Sequence, residues 1–282
     1  MANPPTSNSS AKRTIELTPS NDEMIKPAEL IDITGNAELT LSARRLYNAL
    51  LAHAFGRDMG VEGQDWSIPL STLRGTHKSN ERLEDSIIAL MKTIVTVRLQ
   101  DGSTRRVALL GGNDMGMPER PHGQLTYSFD KRLVPVLQES TVFGKLELSV
   151  MKAFSTKYAL ALYEAVSRRV RLKHIFHEEM PLEAFRELLG VPEGKLGTFG
   201  NLNQYAIKPA LTEINALASF GVQVQPVKQG RKVTAVKLFW HKKSLDEIKE
   251  AYAELQRPKI GRKARLSGEA DTVVEPQPEL GL

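Results

Sequence analysis

The chain has 282 residues, 41% of them hydrophobic, with no cysteine and a formal net charge of +5. This length and hydrophobic content suit two compact units of about 100–150 residues each. The missing cysteines exclude a disulfide framework, a thiolate zinc site and a cysteine nucleophile. The sequence contains no run of about 18 apolar residues, so it predicts no membrane span. Residues 1–10 lack the apolar core of a signal peptide, and we therefore expect a cytoplasmic protein.

Charge is unevenly distributed along the chain. Residues 1–27 have no net charge, residues 28–140 have net charge −1, and residues 266–282 have net charge −4. Residues 141–265 contain 22 basic and 12 acidic groups, which gives net charge +10. Lys and Arg bind nucleic-acid phosphates by displacing counterions, so this third segment is expected to dominate any such contact. The nearly neutral second segment suits a protein partner.

The periodicity of the first half predicts a series of short elements after a flexible segment over residues 1–27, which is rich in Asn, Ser, Pro and Thr. In chain order these are a helix over residues 39–55, a strand over 66–68, a short helix from Pro69, a helix over 81–93, and a strand pair over 95–99 and 105–110. A glycine-rich loop over 111–123 and a strand over 124–129 follow. Pro135 leaves the apolar stretch 133–137 undecided between helix and loop.

The second half predicts the same order of elements. They are a helix over residues 156–171, a short helix over 182–189 closed by Gly190, a flexible connector over 194–200, a helix over 203–219, a strand pair over 222–227 and 232–240, and a helix over 245–255. Pro209 is expected near the first turn of its helix, because a later proline removes a backbone hydrogen bond. A basic and then acidic flexible tail is predicted over 256–282.

Each half therefore contains three helices followed by a hairpin, which is the order of a winged helix. Two similar short segments begin corresponding helices, namely Pro69-Leu-Ser-Thr-Leu-Arg74 and Pro181-Leu-Glu-Ala-Phe-Arg186. The predicted fold class is α+β, with two tandem winged-helix domains related by internal duplication. Their predicted bounds are 28–140 and 141–255. Because these two similar segments are short, an α+β fold without internal duplication remains the alternative.

The predicted DNA-binding residues follow from this fold. Asn and Gln can read adenine edges, while Lys and Arg reach guanine or phosphate. For the helix over 203–219, the alternative is that its first Asn residues only cap the helix. For the cationic tip of the second hairpin, the alternative is a solvated turn that contacts no DNA. The full set is Lys78, Arg82, Arg168, Arg169, Arg171, Lys195, Asn201, Asn203, Gln204, Lys208, Lys228, Arg231 and Lys232.

The sequence favours no enzyme, metal or cofactor. His174 and His177 could share a helix face, but no further His occurs in the second unit until His241, and Glu178 and Glu179 are expected to follow the helix end. The loop over residues 111–116 lacks the Lys-Ser/Thr pair of a phosphate-binding loop. The His-x-His pair and paired tyrosines of a strand-nicking enzyme are also absent from the sequence.

Four stretches resemble the replication initiator family of iteron-containing, theta-replicating plasmids. Residues 39–51 resemble its opening helix, and Ser155-Thr-Lys-Tyr-Ala-Leu-Ala-Leu-Tyr-Glu164 resembles its Ser-Lys-x-x-x-x-Leu-Tyr helix. Pro181-Leu-Glu-Ala-Phe-Arg-Glu-Leu-Leu-Gly190 and Tyr205-Ala-Ile-Lys-Pro-Ala-Leu-Thr-Glu-Ile-Asn215 resemble its second helix-turn-helix. The resemblance implies binding of repeated double-stranded origin DNA, local duplex opening, and recruitment of the host initiator and replicative helicase. It also implies dimers that repress the protein's own gene and monomers that start replication.

The first unit is expected to form that dimer through the edge of its hairpin and to make secondary DNA contacts, while the second unit is the main DNA-binding domain. Val97 and Leu109 are the positions where a lysine is expected to weaken the dimer. The alternative function is a winged-helix transcriptional repressor without a role in replication. Directly repeated binding sites beside the gene would indicate an initiator, whereas one inverted repeat would indicate a repressor.

Overall fold

The structure is a computed structural model that describes residues 12–73, 80–99, 101–116 and 123–267. Its strands are β1 (Glu23–Pro27), β2 (Trp66–Pro69), β3 (Ile94–Arg98), β4 (Thr104–Ala108), β5 (Gly112–Met115), β6 (Gln124–Ser128), β7 (Phe143–Glu147), β8 (His177–Pro181), β9 (Phe220–Gln229) and β10 (Lys232–Lys242). Its α-helices are α1 (Ala28–Ile31), α2 (Leu41–Ala54), α3 (Leu70–Leu73), α4 (Asn80–Lys92), α5 (Val134–Glu139), α6 (Leu148–Ala153), α7 (Lys157–Arg169), α8 (Leu182–Leu189), α9 (Phe199–Leu202), α10 (Lys208–Leu217), α11 (Leu245–Gln256) and α12 (Arg262–Ser267). Among the described residues, no helix has both the length and the apolar character needed to cross a membrane.

The first unit packs α2, α3 and α4 against a hairpin and a small sheet. In the hairpin, β3 and β4 are antiparallel with Val95 opposite Val107, and Gly102 in the connecting turn has a φ of +84° that favours glycine. The sheet has the strand order β2-β6-β5. Tyr127 of β6 donates its hydroxyl hydrogen to the carbonyl of Leu50 at 2.7 Å, which joins this sheet to α2. Helices followed by a hairpin form a winged helix, as the sequence predicts.

The second unit has the same order of elements. Helices α7, α8 and α10 pack beside a sheet with the strand order β8-β10-β9. Phe185 of α8, Ile214 of α10 and Leu238 of β10 are fully buried in the shared core. Gly190 ends α8 with a φ of +67°, so the predicted glycine cap is confirmed.

A two-stranded ribbon of β1 and β7 shows that Glu23–Pro27 form a strand, which corrects the expectation of a flexible segment for these residues. In this ribbon Met24 lies opposite Leu146, and both side chains are buried. Lys26 of β1 is also buried and bonds to Glu164 of α7 at 2.9 Å. The pairing joins a segment before residue 28 to a segment after residue 140. Because its partner strand lies about 120 residues away, local periodicity could not reveal β1.

The first hairpin does not present the apolar surface that was expected to hold a dimer together. Val97 and Leu109 are fully buried in the core of their own unit. The apolar side chains of the hairpin therefore pack against α4 and α1. A lysine at either position would be placed in the core, so both are wrong choices for testing self-association.

Several other elements differ from their predictions. Residues 112–115 form strand β5, which pairs with β6, where a loop was expected. The undecided stretch with Pro135 is helix α5, and the proline occupies its first turn. His174 lies in a loop with a φ of +64°, and His177 begins a strand, so they share no helix face. In the predicted flexible tail, α12 packs back on the fold, where Arg262 Nε donates to Glu254 Oε1 at 3.2 Å.

Candidate nucleic-acid interface

The candidate reading helix of the second unit runs without a break from Phe199 to Leu217. It begins four residues earlier than predicted, because the Thr198 hydroxyl accepts a hydrogen bond from the Asn201 amide at 3.1 Å and caps α9. Residues 203–207 form one π-helical turn between α9 and α10. The amide of Lys208 bonds to the Asn203 carbonyl, five residues back.

This wide turn explains how Pro209 fits inside the helix. A proline in a regular α-helix clashes with the carbonyl four residues before it and leaves that carbonyl unpaired. The sequence predicts Pro209 near the first turn of its helix, and the structure confirms that Pro209 lies in the first turn of α10. The π turn ends at Ile207, just before this turn, so the helix continues through the proline.

One stripe of this helix is exposed and polar. Its exposed residues are Asn201, Gln204, Tyr205, Lys208 and Thr212. The opposite face consists of the buried residues Leu202, Ala206, Ala210, Ile214 and Leu217. The spacing of the exposed residues follows successive helical turns, so their side chains form a continuous surface along the helix. Amide, hydroxyl and ammonium groups arranged in this way are the groups that hydrogen-bond base edges in a major groove.

The loop that leads into this helix is fixed by Arg186 of α8. Its guanidinium donates from Nη1 to the carbonyl of Leu196 at 2.8 Å and from Nη2 to the carbonyl of Lys195 at 2.5 Å. The connector over residues 194–200, predicted to be flexible, therefore has defined backbone contacts, and its last residues belong to α9. Arg186 orients the start of the reading helix without being part of its exposed stripe.

The far end of the helix is also fixed. Lys243 Nζ donates to the carbonyls of Asn215 and Ala218 at 2.5 and 2.8 Å, and a cation at this end also suits the helix dipole. Burial lowers the pKa of the Lys243 ammonium from its usual value. Glu213 accepts a hydrogen bond from the Ser155 amide at 2.9 Å, so this carboxylate faces α7 and not the exposed stripe. Carbonyls and a carboxylate are thus turned away from the surface that would meet DNA.

The second hairpin projects from the end of the reading helix as a wing. The Asn215 side chain holds its base, because Oδ1 accepts from the Val222 amide at 2.7 Å and Nδ2 donates to the Val222 carbonyl at 3.0 Å. At the tip, Gly230 has a φ of +62°. Lys228, Arg231 and Lys232 are exposed around it. Three cations at the tip of a rigid hairpin are placed for contacts with backbone phosphates.

The arginines at the end of α7 do not belong to this surface as a group. Arg169 is buried, and its Nε donates to Glu178 Oε2 at 2.5 Å. Arg168 pairs with Asp32 at 2.8 Å. Both fix α7 to neighbouring elements, whereas Arg171 is exposed, with its guanidinium 5.1 Å from the centre of the Phe143 ring. Local charge density could not distinguish these roles, because Asp32 comes from a distant segment and Glu178, nine residues after Arg169, lies on a different element, β8.

The remaining predicted DNA-binding residues differ in how exposed they are. Lys195 and Asn201 are exposed, and Asn203 is half-buried in the π turn. Lys78 lies outside the described residues. Arg82 belongs to α4, but its side chain lies outside the described part of the structure.

Tyr205 and Thr212 complete the exposed stripe but were not among the predicted site residues. Tyr205 is 57% exposed, which is unusual for an aromatic side chain on a helix that packs in a core. A helical wheel drawn from Asn201 would have found Tyr205 one turn later and Thr212 one turn after Lys208. Thr212 donates its hydroxyl hydrogen to the Lys208 carbonyl at 3.0 Å.

The corresponding helix of the first unit has a different surface. On α4, Glu84, Asp85 and Ile88 are exposed, while Leu83, Ile87 and Leu90 face the core. Two carboxylates would be repelled by DNA phosphates, so the described face of α4 does not suit close contact with a duplex. The two units therefore differ in the chemistry of their equivalent helices as well as in net charge.

Comparison with known protein families identifies both units. The family described as "Initiator Replication protein, WH1" matches residues 23–167, and the family described as "Initiator Rep protein, WH2" matches residues 181–240. The chain belongs to the initiator replication protein family. The first match begins at β1 and includes α7.

Individual relatives agree with this assignment. A "Replication initiation protein" of Escherichia coli is 28% identical over 110 residues, which is 38% of this chain and 34% of the relative. The alignment thus spans about a third of the length of that relative. The "Crystal structure of Pi initiator protein in complex with iteron DNA" superposes with a TM-score of 0.56 at 18% identity, covering 79% of this chain and 98% of that one. The superposition shows that the initiator shares its fold of two winged helices with Pi.

Proposed function

We propose that this initiator binds repeated sites in the replication origin of a plasmid, the iterons, mainly through its second winged helix. The observation that carries the proposal is the polar stripe of the reading helix, Asn201 to Thr212, beside a cationic wing. The net charge of +10 over residues 141–265 supports it, since phosphate neutralisation supplies most of the affinity of such proteins. The iteron complex of the Pi protein, which has the same fold, gives further support.

Within this proposal the stripe and the wing have different roles. Asn201 and Gln204 present amides that can pair with the edge of adenine, and Lys208 can donate to guanine. Arg231 and Lys232 contact phosphates and thereby fix the register of the protein on the duplex without reading its sequence. The stripe accordingly determines specificity, and the wing contributes affinity to every sequence alike.

The family resemblance extends the proposal to events after binding. The bound initiator opens the adjacent duplex and recruits the host initiator and replicative helicase in the cytoplasm, where the plasmid lies. A homodimer represses the protein's own gene, and the monomer starts replication. The surface that joins the dimer excludes Val97 and Leu109, since both are in the core.

Footprinting of the purified protein on the DNA that flanks its gene tests the proposal. Several directly repeated protected sites of about two helical turns would support an initiator, whereas a single inverted repeat would support the repressor alternative. Asn201→Ala and Lys208→Ala should each reduce discrimination between the site and a scrambled duplex by about 5- to 100-fold. Lys249→Ala, which removes an exposed lysine of α11, is the matched control and should leave discrimination unchanged.

A further inference from the structure

A small cavity lies where β1, α1 and α2 of the first unit meet α7. Its volume is about 20 Å³, and apart from leucine and isoleucine side chains its lining is polar. The polar lining residues are Lys26, Asn36, Arg44, Tyr47 and Glu164. Because ~10–15 Å³ is enough for one water molecule, the cavity can hold one occupant of about that size and no organic ligand.

Two polar atoms of the lining residues have no hydrogen-bond partner. Arg44 Nε and Tyr47 Oη are both buried, and neither is paired within the part of the chain that the structure describes. The residues are only 9% and 3% exposed, so bulk water cannot pair with these atoms. The other end of the guanidinium is fixed, because Arg44 Nη2 donates to the carbonyl and to Oδ1 of Asn36 at 3.0 and 3.1 Å. One N–H and one O–H group therefore remain for an acceptor in the cavity.

The buried charges around the cavity do not cancel. Lys26 Nζ and Glu164 Oε2 form an ion pair at 2.9 Å, whereas no ion pair among the described residues involves Arg44. Two cations and one carboxylate thus give the lining a charge of +1. Burial lowers the pKa of the Arg44 guanidinium from its usual value, although the charge of Glu164 acts in the opposite direction. Since a buried cation without a counter-charge is unfavourable, an anion suits this cavity better than water does.

We propose that this cavity is a binding site for a single monatomic anion, with chloride as the ligand. The chloride accepts hydrogen bonds from Arg44 Nε and Tyr47 Oη and balances the charge of the lining. Phosphate and sulfate are excluded by the volume of the cavity. None of the lining residues belongs to the reading helix or to the wing, so the site is separate from the proposed DNA interface.

The anion also supports the contact between the two units. Arg44 lies against Gly190, the residue that ends α8, since a Cβ added at Gly190 would collide with the Arg44 guanidinium. A chloride that holds the guanidinium from the side of the cavity therefore holds the surface against which α8 ends. The lining residues come from segments far apart in the chain, so the folded protein has this site and the unfolded chain does not.

Urea unfolding at increasing chloride, with sodium gluconate keeping the ionic strength constant, tests the proposal. Because one anion binds the folded chain alone, the equilibrium constant for folding should rise about tenfold for each tenfold increase in chloride above the dissociation constant. Tyr47→Phe removes one donor and keeps the ring, so it should weaken chloride binding by about 10- to 100-fold. The matched control is Tyr127→Phe, which removes a buried hydroxyl that donates to the Leu50 carbonyl at 2.7 Å outside the cavity. The control should lower stability equally at every chloride concentration.

Bromide, which has the same charge as chloride and is only slightly larger, locates the site directly. Crystals of the full chain grown in sodium bromide should show an anomalous peak within hydrogen-bond distance of Arg44 Nε and Tyr47 Oη. This measurement needs no variant, so it decides the proposal even if Tyr47→Phe does not fold. A stability that is independent of chloride would overturn the proposal, as would equal chloride dependence of Tyr47→Phe and Tyr127→Phe. Bromide crystals without a peak in the cavity would likewise overturn it and identify water as the occupant.

Discussion

A buried ion pair between β1 and α7 should make the stability of the fold sensitive to the loss of either partner alone. Lys26 Nζ lies 2.9 Å from Glu164 Oε2 and donates to Asn48 Oδ1 at 3.0 Å. Asn48 Nδ2 in turn donates to Glu164 Oε1 at 2.6 Å. The side chains of Lys26 and Glu164 are 5% and 9% exposed, so water cannot replace a lost partner. We expect Glu164→Gln or Lys26→Met to lower the free energy of unfolding by about 3–5 kcal/mol.

The size of this predicted loss in unfolding free energy follows from two opposing contributions, the attraction between the charges and the cost of removing each ion from water. At 2.9 Å and an effective dielectric constant of about 20, the attraction between the two charges is about 6 kcal/mol. Removing each ion from water costs several kcal/mol, so the intact pair contributes little net stability. Deleting one charge leaves the desolvation of the other uncompensated. The double variant Lys26→Met with Glu164→Gln should therefore cost less than either single change, because neither charge of the pair remains.

Urea unfolding followed by circular dichroism measures these differences. Lys249→Ala is a suitable control, because Lys249 pairs with Asp246 at 3.0 Å in an ion pair whose side chains are 77% and 88% exposed, and its loss should change stability very little. A loss below about 1 kcal/mol in both single variants would refute the reasoning. So would a double variant whose loss equals the sum of the two single losses.

Other substitutions test further parts of the structure. Gly190→Ala should lower the free energy of unfolding by at least ~2 kcal/mol in urea titrations, because Gly190 has a φ of +67° and its new Cβ would collide with the guanidinium of Arg44. Val97→Lys should reduce the amount of soluble, folded protein seen on gel filtration instead of producing a stable monomer, because Val97 is fully buried. A folded monomer would contradict the place of Val97 in the core. Arg231→Ala with Lys232→Ala should lower the salt slope of DNA binding by about two units for specific and scrambled duplexes alike; an unchanged slope would show that the wing tip faces solvent.

The sequence by itself determined the elements whose signals are local. The apolar spacing in α2, α7 and α11 and the turn glycines of both hairpins predicted those elements to within a few residues. Gly190 predicted the end of α8 for the same reason, since the left-handed conformation there is a property of one residue. The cationic tip of the second hairpin could also be predicted, because its residues are close in sequence and, among the described residues, no ion pair involves them.

Only the tertiary structure decided features that depend on residues far apart in the chain. Strand β1 exists because β7 pairs with it, and Arg168 and Arg169 are structural because Asp32 of a distant segment lies beside them. The sequence shows that a hairpin has an apolar face, but not whether that face meets its own core or a partner. The spacing of apolar residues predicts which side chains are buried. Which element buries them depends on packing between segments that are distant in the sequence.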